Sequence, residues 1–253
     1  MQRFGSVLVD HFPQDISIRV RGEGVLQFQG NAPSKELGPD VMPDPVEAFV
    51  EGVRLGMLGG SKQPPWGGRA EVLEKKVDLA KLEQHWLVRL AGVDQGALRV
   101  LANLLRARPL DEVSLVTTLN ASTSGARFLT FASLKYPKPY EKLPFEFRYE
   151  EPVSSKNRVI QVVFRTPPSE DAVEELVAAL QKWNMLLLGG YPDQDQEPSE
   201  SGAFGDEPFQ LDEVTVEQCF PDIFDCAEPA FHAMVNHVCV VHRQSPVAAV
   251  VVE

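Results

Sequence analysis

The sequence predicts an α+β fold made of one module used twice, each copy a mainly antiparallel sheet with two helices on one face. Three observations lead there. Landmarks recur along the chain at offsets that drift from 124 to 133 residues, as loops absorb insertions. Arg3-Phe4 is matched by Arg127-Phe128, the run from Val46 to Leu58-Gly59-Gly60 by Val173 to Leu188-Gly189-Gly190, and Ala97–Asn103 by Ala230–Asn236. Each copy then carries segments that alternate apolar and polar, the period of a half-buried strand, and segments with capped helical periodicity. The expected order in each copy is approximately β-β-β-α-β-(β)-α-β, with a first repeat at 1–119, a small polar linker at 120–126 and a second, acidic repeat at 127–253.

In the first copy the opening strands are read at Ser6–Val9, Ile16–Arg21 and Val25–Gln29, with Gly22-Glu23-Gly24 as a hairpin turn. Ile16, Ile18 and Val20 alternate with Ser17, Arg19 and Arg21, so one face of that strand is apolar. Their partners in the second copy are Phe128–Leu134, Phe145–Tyr149 and Val159–Arg165. A helix follows. Asp44 is its N-cap, Pro45 suits its first turn, Glu47 completes a capping box, and Gly59-Gly60 ends it. Ser169 caps the corresponding helix, which Gly189-Gly190 closes.

Later helices begin near Asp94 and near Glu228-Pro229, and each copy ends in a strand, Val113–Thr117 or Val247–Val252. Between the helices, Glu71–Val77 and Glu213–Gln218 alternate like strands, whereas His85–Gly92 fits a strand or a helix end equally well. The element order is that of ferredoxin-like sandwiches, which by itself transfers no function. No family is recognised from these residues.

The net charge of −12 is placed unevenly. Residues 1–124 hold 14 Lys and Arg against 15 Asp and Glu, while residues 125–253 hold 10 against 21. Within the second copy, residues 166–228 contain 16 acids and one base, Lys182. Such a field repels phosphates, which excludes nucleic acid as the expected partner, and it draws in a basic protein. No signal peptide or membrane span is read, and three cysteines without framework spacing fit a reducing compartment, so a cytoplasmic monomer is expected.

No catalytic motif accompanies the repeat, and no cofactor or metal is expected. His232, Asn236 and Cys239 share one face of the last helix, a geometry zinc or a Cys–His pair could use, but the first copy places Arg99, Asn103 and Arg106 there or nearby. Cys219 and Cys226 lack zinc-ligand spacing. The Asp193–Glu197 run alternates carboxylates like a calcium loop but has Pro198 where the sharp turn needs glycine. Gly59-Gly60-Ser61-Lys62 lacks phosphate-loop spacing.

The residues expected to meet a partner are Asp193, Asp195, Glu197, Glu200, Asp206 and Glu207 on the long acidic loop, with Trp66 on the Pro-stiffened loop of the first copy. The expected function is a non-enzymatic protein-binding module, of inhibitor or immunity type, that sets an acidic surface against a basic protein. The alternative is an enzyme or small-molecule binder with a pocket between the repeats, His11, His85, Trp66 and Tyr191 being its first suspects.

Overall fold

A computed structural model describes residues 14–28, 44–58, 68–93, 95–117, 135–137, 142–150, 158–192, 205–220 and 226–253. The first half contains β1 (Gln14–Arg21), a single helical turn α1 (Gly24–Gln27), α2 (Pro45–Arg54), β2 (Arg69–Asp78), β3 (Glu83–Ala91), α3 (Gln95–Arg106) and β4 (Glu112–Thr117). The second contains β5 (Glu146–Tyr149), β6 (Arg158–Phe164), α4 (Glu170–Leu187), β7 (Phe209–Gln210), β8 (Thr215–Phe220), α5 (Pro229–Val241) and β9 (Val247–Val252). The fold is α+β with two sheets. Their strand orders are β2-β3-β1-β4 and β5-β9-β6-β8-β7.

Read from the strand that precedes the first long helix, the two sheets are wound alike. β1 lies between β3 and β4 and is antiparallel to both, and β6 lies likewise between β8 and β9. Each is a split β-α-β arrangement, and among the described residues a fifth strand, β5, is added parallel to β9 in the second sheet. In position within its sheet it is β6, and not the Phe145–Tyr149 segment, that corresponds to β1.

Two further expectations are corrected. Val25–Gln29 is not a strand: α1 occupies its place, because Val25 and Phe28, three residues apart, both turn inward, with Phe28 packing on Trp86 at 6.0 Å while Leu26 faces solvent. The helix α2 stops at Arg54 rather than at Gly59-Gly60, which lie outside the described residues. Gly56, at φ +76°, supplies the left-handed residue just past its end. Ser6–Val9, Phe128–Leu134 and the 120–126 linker also lie outside the described residues. His85–Gly92, ambiguous in sequence, belongs to β3, where Gln84, Trp86, Val88 and Leu90 are buried at every second position.

The caps form as the sequence predicts. The Asp44 carboxylate accepts from the backbone N–H of Val46 at 2.9 Å and of Glu47 at 3.2 Å, and Ser169 Oγ accepts from Ala172 N–H at 3.3 Å. Removing such a cap costs about 1 kcal/mol. Glu47 does not reach back to close a box; its carboxylate takes Lys75 Nζ at 2.8 Å instead, and Lys75 also pairs with Asp44 at 2.9 Å. Lys75 reaches this inner face because β2 bulges between Val72 and Glu74, which re-phases the strand.

One hydrophobic core runs through both halves. The helices of the two halves pack on each other, with Gly52 of α2 so close to α4 that an added Cβ would lie 2.9 Å from Leu186 Cδ1. Polar side chains stitch this seam. Asn236 Nδ2 donates to Met57 O at 3.3 Å, His237 Nδ1 lies 2.7 Å from Leu55 O, and Asn103 Nδ2 donates to Gly190 O at 3.2 Å. Each bond ties a loop carbonyl of one half to a helix of the other, so the halves are held in one register. With the helices turned inward, both sheets keep one face toward solvent.

Candidate functional site

The described acidic residues of the second half sort by strand end rather than forming one patch. Asp206 N–H donates to Cys219 O at 2.7 Å and Gln218 Nε2 donates to Asp206 O at 3.0 Å, so the backbone is pinned beside the last residues of β8. The Asp206 and Glu207 side chains are exposed there. Asp212 and Glu213 lie at the other end of β8, where Phe164 N–H donates to Val214 O at 2.7 Å and the chain soon enters α4. Glu170, Asp171 and Glu174 stand exposed in the first turns of α4, a favourable place for negative charge. Asp212 serves the turn itself. It accepts from Val214 N–H at 2.8 Å and from Thr215 Oγ1 at 3.1 Å, and the backbone bond holds its carboxyl below the usual range. Asp193, Asp195, Glu197, Glu200 and Trp66 lie outside the described residues.

Between those two ends lies the outer face of the second sheet. β6 alternates strictly, with Arg158, Ile160, Val162 and Phe164 buried and Val159, Gln161 and Val163 partly exposed. Ala249 and Val251 of β9 and Cys219 of β8 share that partly exposed outer side. Gln161 Nε2 donates to Glu217 Oε2 at 2.7 Å in its middle. Phe209 and Leu211, at 44% and 49% exposure, extend the apolar surface past the short β7. The surface is a sheet face of valine and alanine crossed by the Gln161–Glu217 pair and bordered by Asp206, Glu207 and the Glu146–Arg148 ion pair.

The first sheet presents the opposite chemistry. Its outward positions carry Asp15, Ser17, Arg19 and Arg21 on β1, His85 and Arg89 on β3, and Glu71, Glu74, Lys76 and Asp78 on β2. Most of this charge is cancelled in place, by Arg89 with Asp15 at 2.8 Å, Lys76 with Glu74 at 2.5 Å and Lys81 with Asp78 at 3.0 Å. A shallow cavity of about 610 Å³ is lined by Arg19, Lys76, Val77, Asp78, Glu83, Gln84 and His85. Lys76, His85 and Arg19 form one cross-strand row above it, and Ser17 Oγ lies 2.8 Å from His85 Nε2. That length suits a nucleophile and its base, but among the described residues no carboxylate bonds the ring's other nitrogen to orient it. The cavity belongs to the first sheet and does not lie between the halves.

The other sequence candidates are spent on packing. Cys239 is fully buried, and burial pushes its thiol up to about 12, far from a thiolate. Asn236 is committed to Met57 O. His232 lies 3.7 Å from Glu228, with burial lowering its pKa. Cys219 Sγ approaches Glu217 and Cys226 Sγ approaches Leu187 O, each at 3.5 Å and in different elements. Tyr191 is fully buried against Tyr136, ring centroids 5.3 Å apart. His11 is outside the described residues, and His85 stands on the outer side of β3 in the first sheet. Among the described residues no group of three His, Cys, Asp or Glu is placed to hold a metal ion, and no helix is long and apolar enough to cross a membrane.

No family model matches the chain, and no curated protein matches it. Among solved structures it is similar to an unknown protein from Galdieria sulphuraria, at 13% identity over 92% of this chain and 93% of that one, with a TM-score of 0.20. A score that low carries no argument about fold or function.

Proposed function

We propose that this chain is a non-enzymatic protein-binding module whose partner is a basic protein bound across the outer face of the second sheet. The observation that carries the reading is the partly exposed, largely apolar surface of Val159, Val163, Ala249 and Val251 around the Gln161–Glu217 pair, continued by Phe209 and Leu211 and bordered by Asp206, Glu207 and the Glu146–Arg148 ion pair. A sheet face left to solvent ordinarily alternates to polar residues, as the first sheet does. An apolar centre with a charged rim is the composition of a recognition surface, in which burial supplies affinity and the rim supplies approach and orientation. Asp206 and Glu207 belong to that rim. Asp193, Asp195, Glu197 and Glu200, a few residues earlier in the chain, extend the same charge and are proposed as partner contacts with them, together with Trp66. The like winding of the two sheets supports descent of the halves from one duplicated module, the second copy having gained the acidic, apolar-faced surface.

The test places a photo-crosslinking residue at Val251 or Phe209, and at Arg19 as the control on the first sheet, in the native host. Crosslinks from the second sheet to one basic protein, weakened by neutralising Asp206 and Glu207 and by added salt, are the expected result. Neutralising those two exposed residues should leave thermal stability within about 0.5 kcal/mol. A partner captured only from Arg19, or one whose association ignores salt, overturns the proposal.

A further inference from the structure

Among the described residues the two sheets present four edge strands, and three of them carry devices that discourage pairing with another chain. β2 has a bulge between Val72 and Glu74 followed by Lys75 and Lys76. β7 is two residues long. β5 is four residues long, with Glu146 and Arg148 exposed. β4 has only the exposed Glu112 at its first residue. Its six residues, EVSLVT, pair with β1 in unbroken register and contain no lysine, proline or bulge.

The comparison with β9, which occupies the same place in the second sheet, sharpens the point. β9 is covered along its outer edge by β5, and its inward valines 247, 250 and 252 are fully buried. β4 has no strand beyond it among the described residues, and its inward Val113 is 37% exposed while Leu115 is only partly buried. Val116, on the outward side, is 39% exposed.

We propose that the β4 edge is the seat of a second copy of this chain, the two β4 strands pairing antiparallel about a twofold axis to make one eight-stranded sheet. Two arguments select a second copy as the occupant. First, the strand is self-complementary. With Ser114 opposite its own counterpart, Val113 faces Leu115 across the axis on the inner side and Glu112 faces Val116 on the outer side, so apolar groups cover each other and no like charges meet. Second, two chains of net charge −12 repel, and the repulsion is smallest where β4 lies, in the half with 14 bases against 15 acids.

The experiment is sedimentation of the full chain over a wide concentration range, with two variants. The wild type should sediment at twice 28.0 kDa. Ser114→Glu, which sets two carboxylates opposite each other, should weaken the dimer at least tenfold with its circular dichroism spectrum unchanged. Ser114→Cys should form a covalent dimer under mild oxidation that the wild type, with its three cysteines, does not form. The cross-link decides the matter if the glutamate variant fails to fold. A wild-type monomer at all concentrations, a dimer indifferent to Ser114→Glu and not trapped by Ser114→Cys, or protection from hydrogen exchange in a monomer of the β4 amides that point away from β1 would each overturn the inference.

Discussion

Side chains that point away from the helices are Asp15, Arg19, Arg21 and Arg89 among others in the first sheet, and Val159, Val163, Ala249 and Val251 in the second. Inward, the two sheets obey the same rule, with Ile16, Ile18 and Val20 buried in one and Ile160, Val162 and Phe164 in the other. The shared winding therefore constrains only the inner residues. An outer face is left open to change, because converting it from charged to apolar moves no strand. The two halves teach that what a module is and what it touches are written on opposite sides of the same strands.

The two halves also differ in the core. Trp86 and Trp183 are both fully buried, but Trp183 Nε1 donates to Ala230 O at 2.8 Å whereas Trp86 Nε1 has no hydrogen-bond partner among the described residues. Truncating either to alanine should cost about 3–5 kcal/mol in chemical denaturation. Phenylalanine should then separate them. Trp183→Phe loses a buried hydrogen bond and Trp86→Phe removes an unpaired N–H, so the second should be milder by about 1 kcal/mol or more. Equal costs would mean that the two halves are more alike inside than their hydrogen bonds imply.

A smaller difference is expected between β9 and β4. Val250→Ala strips two fully buried methyl groups and should cost about 1.6 kcal/mol at ~0.8 kcal/mol per carbon, while Val113→Ala, at a position 37% exposed, should cost well under that figure. Measured in the dimeric state the gap should narrow, since the proposed second copy covers Val113.

The smallest effect expected is a pH dependence at the seam. Burial lowers the pKa of His237 below the ordinary 6.5, and the groups acting on it are the Leu55 carbonyl and, at longer range, Glu175. A depressed imidazole pKa means that the unfolded chain binds its proton first, so the stability is fully present above about pH 6.5 and is lost as pH falls through the folded value. Melting temperature should accordingly decline on acidification below 6.5, and His237→Gln should flatten part of that slope. His232 and His242 shift in the same direction and add to the slope, and the carboxyls of Glu74, Asp78, Glu146 and Asp212, held below their usual range, add more at lower pH.

Much of this arrangement is legible in the sequence, and the failures have physical causes. The Asp44 and Ser169 caps, the final strands and the polar face of β1 follow from local chemistry that tertiary packing leaves in place. Val25–Gln29 misleads because four residues of alternation fit a strand and a single helical turn equally well, and only Phe28 against Trp86 decides between them. That β6 and not β5 takes the position of β1 is not readable from landmarks, since it depends on which strand lies between two antiparallel neighbours. The outer face of the second sheet did leave a signal. The runs VIQVVF and VAAVVV are nearly unbroken in apolar character, where a half-buried strand would alternate. The seam between the halves left none, because Asn236 and His237 look in sequence like a helix flank and only the fold brings them to Met57 and Leu55.

The bulge in β2 has a meaning beyond Lys75 and its two carboxylates. It absorbs one residue, Leu73, that the ladder with β3 skips: Val72 is opposite Val88 and Glu74 is opposite Leu87. Leu73 is thus a spare beat in the rhythm of the strand, 36% exposed and without a partner in the register. A chain that lost it would keep every other side chain of β2 on its present side. A chain that lost Glu74 instead, while keeping Leu73 as the skipped beat, would set Lys76 opposite Trp86 in the place of Lys75, so Asp44 and Glu47 would keep a lysine while Val77 turned outward and Asp78 inward.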